Sequence, residues 1–123
     1  MPSEKFEKGA KVFEEVIGFR PPEEGPAFLK LTVENLFADV WAREGLSIRD
    51  RRLITLTILL TQMKEESLAL HLRQALKGDL SKKELSELVI HVAHYAGWPI
   101  GQLGFDTLMA VLAEKKRNEA ASP

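Results

Sequence analysis

The sequence of 123 residues contains no cysteine. Disulfides, thiolate nucleophiles, cysteine-held zinc and iron–sulfur clusters are therefore excluded. An excess of charge of either sign is also missing. Seventeen Lys and Arg stand against 18 Asp and Glu, for a formal net charge of −1, which gives no reason to expect nucleic acid or an anionic membrane as a partner. Long apolar runs are absent too. The greasiest stretch, Leu53 to Leu60, is interrupted by threonines and bounded by arginines, and it is far shorter than the ~20 apolar residues of a membrane span. The start, Met1 to Lys8, is charged and lacks the apolar run of a signal peptide. These absences predict a cytoplasmic protein. A Gly-rich phosphate loop, a G-x-S-x-G elbow and an EF-hand loop are likewise not found.

What is present is ordinary for a folded domain. Hydrophobic residues make up 45% and charged residues 28%, enough to enclose one core in a single domain over residues 1–123, with 118–123 as a frayed tail. Turn signals cut the chain into pieces with helical periodicity. Phe6, Ala10, Phe13, Val16 and Ile17 mark a first helix, ended by Gly18 and Pro21-Pro22. A second begins near Pro26 and carries Phe28 to Trp41, and Gly45 closes it. Ser47-Ile48-Arg49-Asp50 is an acidic variant of the capping box. It opens a third helix, apolar around most of its circumference, which predicts that this helix is the most buried. Its β-branched residues also suit a strand, but its length and cap favour helix. A fourth helix spans Glu65 to Lys77, and Gly78-Asp79 breaks it. Ser81 to Glu84 is a full capping box and opens a fifth, with Leu85, Leu88, Val89, Val92, Ala93 and Ala96 on one stripe. Gly97-Trp98-Pro99 starts a sixth, which runs to about Lys116. The fold class is all-α, a bundle of about six helices joined by short turns.

Few residues can carry chemistry. His71 falls at the margin of an apolar helix face, as either a core-edge histidine bonded to a carbonyl or a general acid or base facing a cavity. His91 and Tyr95 are one turn apart on the fifth helix. They are either two polar tips of an amphipathic helix or a pair of hydrogen-bond donors for an oxyanion. His94 points away from the stripe and reads as solvated. His91 and His94 lack the H-E-x-x-H spacing and a third ligand, so no metal site is expected. Arg43, Arg49, Arg51 and Arg52 cluster around a helix start, which suits a carboxylate ligand as well as it suits a solvated charged turn. Glu34 is either an exposed helix residue or a carboxylate held near Arg52 or His71. Trp41 and Trp98 are core or pocket aromatics.

At these residues the chain resembles the carboxymuconolactone decarboxylase family. Phe37 to Leu53 is similar to the family's F-G-D-V-W-x-R-P-G-L-S-x-R-x-R-x-L segment. Leu70 to Leu76 is similar to L-x-x-H-L-R-A-A, and Glu87 to Pro99 to E-x-I-x-H-x-A-x-Y-x-G-x-P. In the related alkylhydroperoxidase D, the redox motif is C-x-x-C-x-x-x-H. His71 matches its histidine, while Lys64 and Ser67 stand at the cysteine positions, so thiol peroxidase chemistry is impossible. Ala38 and Glu44 depart from the pattern, and the Gly78-Asp79 turn is shifted by one residue. None of the three departures is expected to carry chemistry.

The resemblance implies an alkylhydroperoxidase D-like helical bundle that assembles as a trimer or hexamer. A homo-oligomer also agrees with the apolar Trp41, Trp98, Phe105 and Met109, which are more than one subunit easily buries. The implied activity is that of a carboxy-lyase in aromatic compound catabolism. It takes 4-carboxymuconolactone to 3-oxoadipate enol-lactone without a cofactor or metal, and its partner is a small anionic substrate. His71, Arg52, Arg49 and Glu34 would be catalytic, and Trp41, Arg43, His91 and Tyr95 would bind substrate, all converging on one pocket. The alternative is a non-catalytic or differently specific paralogue that binds a small ligand as an oligomer.

Overall fold

The computed structural model describes residues 2–122. Among them are six helical stretches and no strand. The helices are α1 (Glu4–Ile17), α2 (Ala27–Leu31, continuing as a π-helical stretch over Thr32–Trp41), α3 (Ile48–Thr61), α4 (Glu65–Gln74, continuing as a π turn over Ala75–Asp79), α5 (Lys82–Ala96) and α6 (Trp98–Ala121). The chain falls into two compact units, one up to Arg51 and the other from Arg52 onward.

In the first unit, α1 starts where Ser3 accepts a hydrogen bond from the Phe6 N–H, with Glu4 and Glu7 favourably placed in the first turn. It ends at Gly18, whose left-handed φ of 106° lets its N–H close on the Glu14 carbonyl. The buried face of α1 presents Phe6, Ala10, Phe13 and Val16 to Val33, Phe37 and Trp41 of α2. Phe13 meets Phe37 edge-on at 4.9 Å, and Phe37 stacks on Trp41 at 6.1 Å. The two helices come this close because Gly9 has no side chain: a Cβ there would lie 1.9 Å from the Val33 carbonyl oxygen.

Ser47 caps α3 as its sequence suggests, its hydroxyl accepting from the Asp50 N–H at 3.0 Å. The β-branched residues are accommodated in the helix, where the Thr57 hydroxyl is satisfied by donating to the Leu53 carbonyl at 2.9 Å. Of the 14 residues of α3 only Arg49, Ile54, Ile58 and Thr61 are exposed, the smallest exposed share of the helices, but few of the rest are fully buried. Only Arg52, Leu56 and Leu60 are buried, and Ile54 and Ile58 are each 48% exposed. An all-round apolar pattern thus reduces to one stripe at four-residue spacing.

In the second unit, Leu56, Leu60, Leu68, Leu72, Ala75, Leu80, Leu85, Val89, Val92, Leu108 and Val111 form one core. The turn before α4 runs through Met63 at a φ of 58°. The full capping box at Ser81 and Glu84 is present, with both reciprocal hydrogen bonds. Helices α5 and α6 pack through Gly101, where a Cβ would lie 2.3 Å from that of Ala93. Helix α6 runs past Lys116 and through the expected tail to Ala121. No helix is long and apolar enough to cross a membrane among the described residues.

Candidate functional site

A cation inside an apolar stripe must be paired, because burying a bare charge costs far more than packing returns. Arg52 is that cation. It opens the buried stripe of α3 and is fully buried. Its Nε donates to Asp79 Oδ2 at 2.8 Å. Its Nη1 lies 2.7 Å from His71 Nδ1. Three residues far apart in sequence therefore meet within the second unit.

Local structure explains how. His71 is placed by the buried Leu68 and Leu72 of α4, which turn it to the edge of the core. The helix then widens, and the Leu80 N–H reaches back five residues to the Ala75 carbonyl at 2.9 Å. This π turn carries the Asp79 carboxylate to the arginine instead of leaving it in solvent. Its side chain is 22% exposed.

The electrostatics of His71 follow from its neighbour. A guanidinium has donors and no acceptor, so His71 Nδ1 must accept. The ring is then neutral, with its hydrogen on Nε2. Burial and, second, the positive charge of Arg52 lower the His71 pKa from 6.5 to about 4. His71 is thus uncharged at neutral pH. It is suited to donate a hydrogen bond from Nε2 rather than to deliver a proton as imidazolium.

The remaining candidates are placed as follows. In the first unit, Glu34 accepts from the Ser3 hydroxyl at 3.0 Å. Trp41 is buried among Phe13, Phe37 and their neighbours, so it is not surplus apolar surface. Arg49 is exposed and lies 3.5 Å from Asp50, and the exposed Arg43 lends its carbonyl to Arg51 at 3.4 Å. In the second unit, His91 and Tyr95 are exposed and stack on each other at 5.0 Å. Exposed His94 sits edge-on to Trp98 at 5.7 Å and donates from Nδ1 to the Ile90 carbonyl at 2.7 Å. A cleft of about 360 Å³ between α4 and α6 has other walls, among them Arg73, Lys77 and Glu114. Its Arg73 is neutralised by Glu114 at 2.7 Å. Among the described residues, no group of three or more His, Asp or Glu gathers to hold a metal ion.

Asp79 is the residue that sequence reasoning missed. The shifted Gly78-Asp79 turn was expected to carry no chemistry, and it supplies the carboxylate partner of Arg52. One signal pointed to it. An arginine on an apolar stripe needs a carboxylate, and an Asp just after a helix break is free to turn inward.

The model of the carboxymuconolactone decarboxylase family matches residues 26–103. The chain belongs to that family. It is 40% identical over 63 residues to the 4-carboxymuconolactone decarboxylase of Acinetobacter baylyi, a match that covers 51% of this chain and 47% of that protein. The chain thus spans about half the length of that relative. It is also 32% identical over an alignment of 108 residues to the nitrosuccinic acid decarboxylase of Metarhizium robertsii, covering 76% of this chain and 71% of that one.

Proposed function

We propose that the protein is a cofactor-free decarboxylase of a small dicarboxylate, with 4-carboxymuconolactone to 3-oxoadipate enol-lactone as the first reaction to test. The observation that carries this reading is the contact of buried Arg52 with a neutral His71 at 2.7 Å. Loss of CO2 from the γ-carbon of a butenolide sends an electron pair into the lactone carbonyl. A dienolate oxyanion forms, and one proton is then taken up at the α-carbon. The costly feature is the negative charge on oxygen, and preorganised donors reduce that cost most. The His71 Nε2–H, backed by the Arg52 cation, is such a donor. This role differs from that of a proton carrier, because a ring that accepts from arginine at Nδ1 has no proton to spare at neutral pH. The proton for carbon then falls to His91 or to water.

A second reading, a differently specific paralogue, has one observation in its favour. The match to the nitrosuccinic acid decarboxylase runs along 76% of the chain, against 51% for the lactone decarboxylase. Nitrosuccinate is also a dicarboxylate, and losing CO2 beside its nitro group places the charge on nitro oxygens. The same donor pair serves both oxyanions. The test is direct CO2 release from each compound by the purified protein, with the protein-free reaction as the blank. Release from neither above that blank would sink both readings and leave a ligand-binding paralogue.

The decarboxylase is read as a homo-oligomer, a trimer or hexamer as in the proteins the family resembles. Its support is the exposed aromatic surface of the second unit: Tyr95 is 85%, Trp98 65% and Phe105 51% exposed. A particle of 13.8 kDa by light scattering at micromolar concentration would refute it.

A further inference from the structure

The buried pair has a feature that charge balance alone does not require. Asp79 does not sit on a mobile turn. The turn that contains it is closed by the Leu80 N–H, which donates to the Ala75 carbonyl at 2.9 Å. Leu80, the next residue, is buried in the core. Ser81, the one after, begins the capping box of α5, with bonds of 2.9 Å and 3.1 Å. A carboxylate carried on this restrained turn meets the Nε edge of a rigid planar group. A different nitrogen of that plane, Nη1, faces His71. Holding one nitrogen of a guanidinium fixes the direction of the others.

We propose that Asp79 is a positioning residue: by holding Arg52 at Nε, it keeps Nη1 aimed at His71 Nδ1 and so locks His71 as the Nε2–H tautomer. An unlocked neutral imidazole would divide its hydrogen between the two nitrogens, and only one of those forms presents a donor at Nε2. The assignment deepens the decarboxylase reading and rests on it for its kinetic consequence. The tautomer itself does not depend on which substrate the protein takes.

The experiment is two-bond 15N–1H correlation spectroscopy of the histidine rings in the full chain at neutral pH, without substrate. In the wild type, His71 should show one tautomer, with Nδ1 bare and Nε2 protonated. In Asp79→Asn both tautomers should appear, and Asp79→Glu should recover most of the single form. A wild-type ring protonated at Nδ1 overturns the proposal, as does an Asp79→Asn ring identical to the wild type. Should Asp79→Asn fail to fold, combining it with Arg52→Met removes the buried charge and leaves no donor at position 52 for His71 Nδ1, so both tautomers should appear. An unchanged single tautomer in that double variant also overturns the proposal. CO2 release gives the second readout: kcat of Asp79→Asn should fall about tenfold or more with KM little changed, and Asp79→Glu should restore part of it. If the wild type itself releases no CO2, the decarboxylase reading fails, and the spectra still decide the role of Asp79.

Discussion

Nη1 of Arg52 and Nδ1 of His71 lie 2.7 Å apart, and the arginine can only donate. The fold therefore holds a histidine that cannot become charged without breaking this contact. A pH dependence follows. The folded pKa is about 4, against 6.5 for a free side chain. Above pH 6.5 the ring is neutral in both the folded and unfolded chain, and its contribution to stability is fully present. As pH falls, the unfolded chain binds a proton that the folded chain refuses, so stability declines until the folded ring titrates near 4. The decline is at most about 1.4 kcal/mol per pH unit within that window. Urea unfolding from pH 7.5 to 4 should show a steeper loss for the wild type than for His71→Asn. Parallel curves would mean that the contact does not suppress protonation.

The activity variants separate two kinds of contribution. His71→Asn removes the donor assigned to the oxyanion, and kcat should fall about 10²- to 10³-fold. Arg49→Gln and Arg43→Gln each remove an exposed cation and leave the buried Arg52 in place, and any effect they have on turnover should fall on KM rather than kcat. Steady-state CO2 release measures both effects. Full activity in His71→Asn would transfer the central role to His91.

The first turns of the helices were legible in the sequence because caps are local. Ser3, Ser47 and Ser81 each accept the N–H three residues on. The Arg52–His71 meeting was legible only in outline. Both residue types suit a site, but spacing along separate helices does not give a contact. The sequence set Arg52 and Arg49 alike in one pocket with His71, and only the fold shows that Arg52 is the one in contact. Asp79 was legible only as a carboxylate after a helix break, because the turn that carries it to Arg52 depends on a five-residue hydrogen bond that no residue pattern announces. The exposure of Ile54 and Ile58 was missed for another reason. Apolar periodicity records which faces tolerate burial, not which faces one subunit covers.

Glycines test the packing. Gly9→Ala places a methyl group 1.9 Å from the Val33 carbonyl oxygen, and Gly101→Ala places one 2.3 Å from the Ala93 Cβ. Both obstacles are rigid, so the helices must separate, at a cost of about 1–3 kcal/mol or more. Gly45→Ala meets nothing within 4 Å and should be close to neutral. Thermal unfolding of the three variants should lower Tm by several degrees for the first two only. Equal Tm values for all three would show that the close approaches relax freely.

The buried ion pair should be a liability for stability and an asset for function. Arg52 is fully buried and Asp79 mostly so. Removing the carboxylate alone, as in Asp79→Ala, leaves a cation in the core and should cost about 3–5 kcal/mol. Replacing both partners with apolar side chains, as in Arg52→Met with Asp79→Ala, removes the charge along with the need to pair it. The desolvation cost of the pair disappears, while the methionine keeps most of the packing volume beside Leu56. The double variant should therefore be much more stable than Asp79→Ala and within about 1–2 kcal/mol of the wild type. It should also lack activity, because His71 Nδ1 has lost its donor and the oxyanion its nearby cation. Urea unfolding and CO2 release on the same preparations read the two effects separately. A double variant as unstable as Asp79→Ala would mean that the pair holds the fold by its geometry. A double variant that keeps wild-type turnover would remove Arg52 from the chemistry.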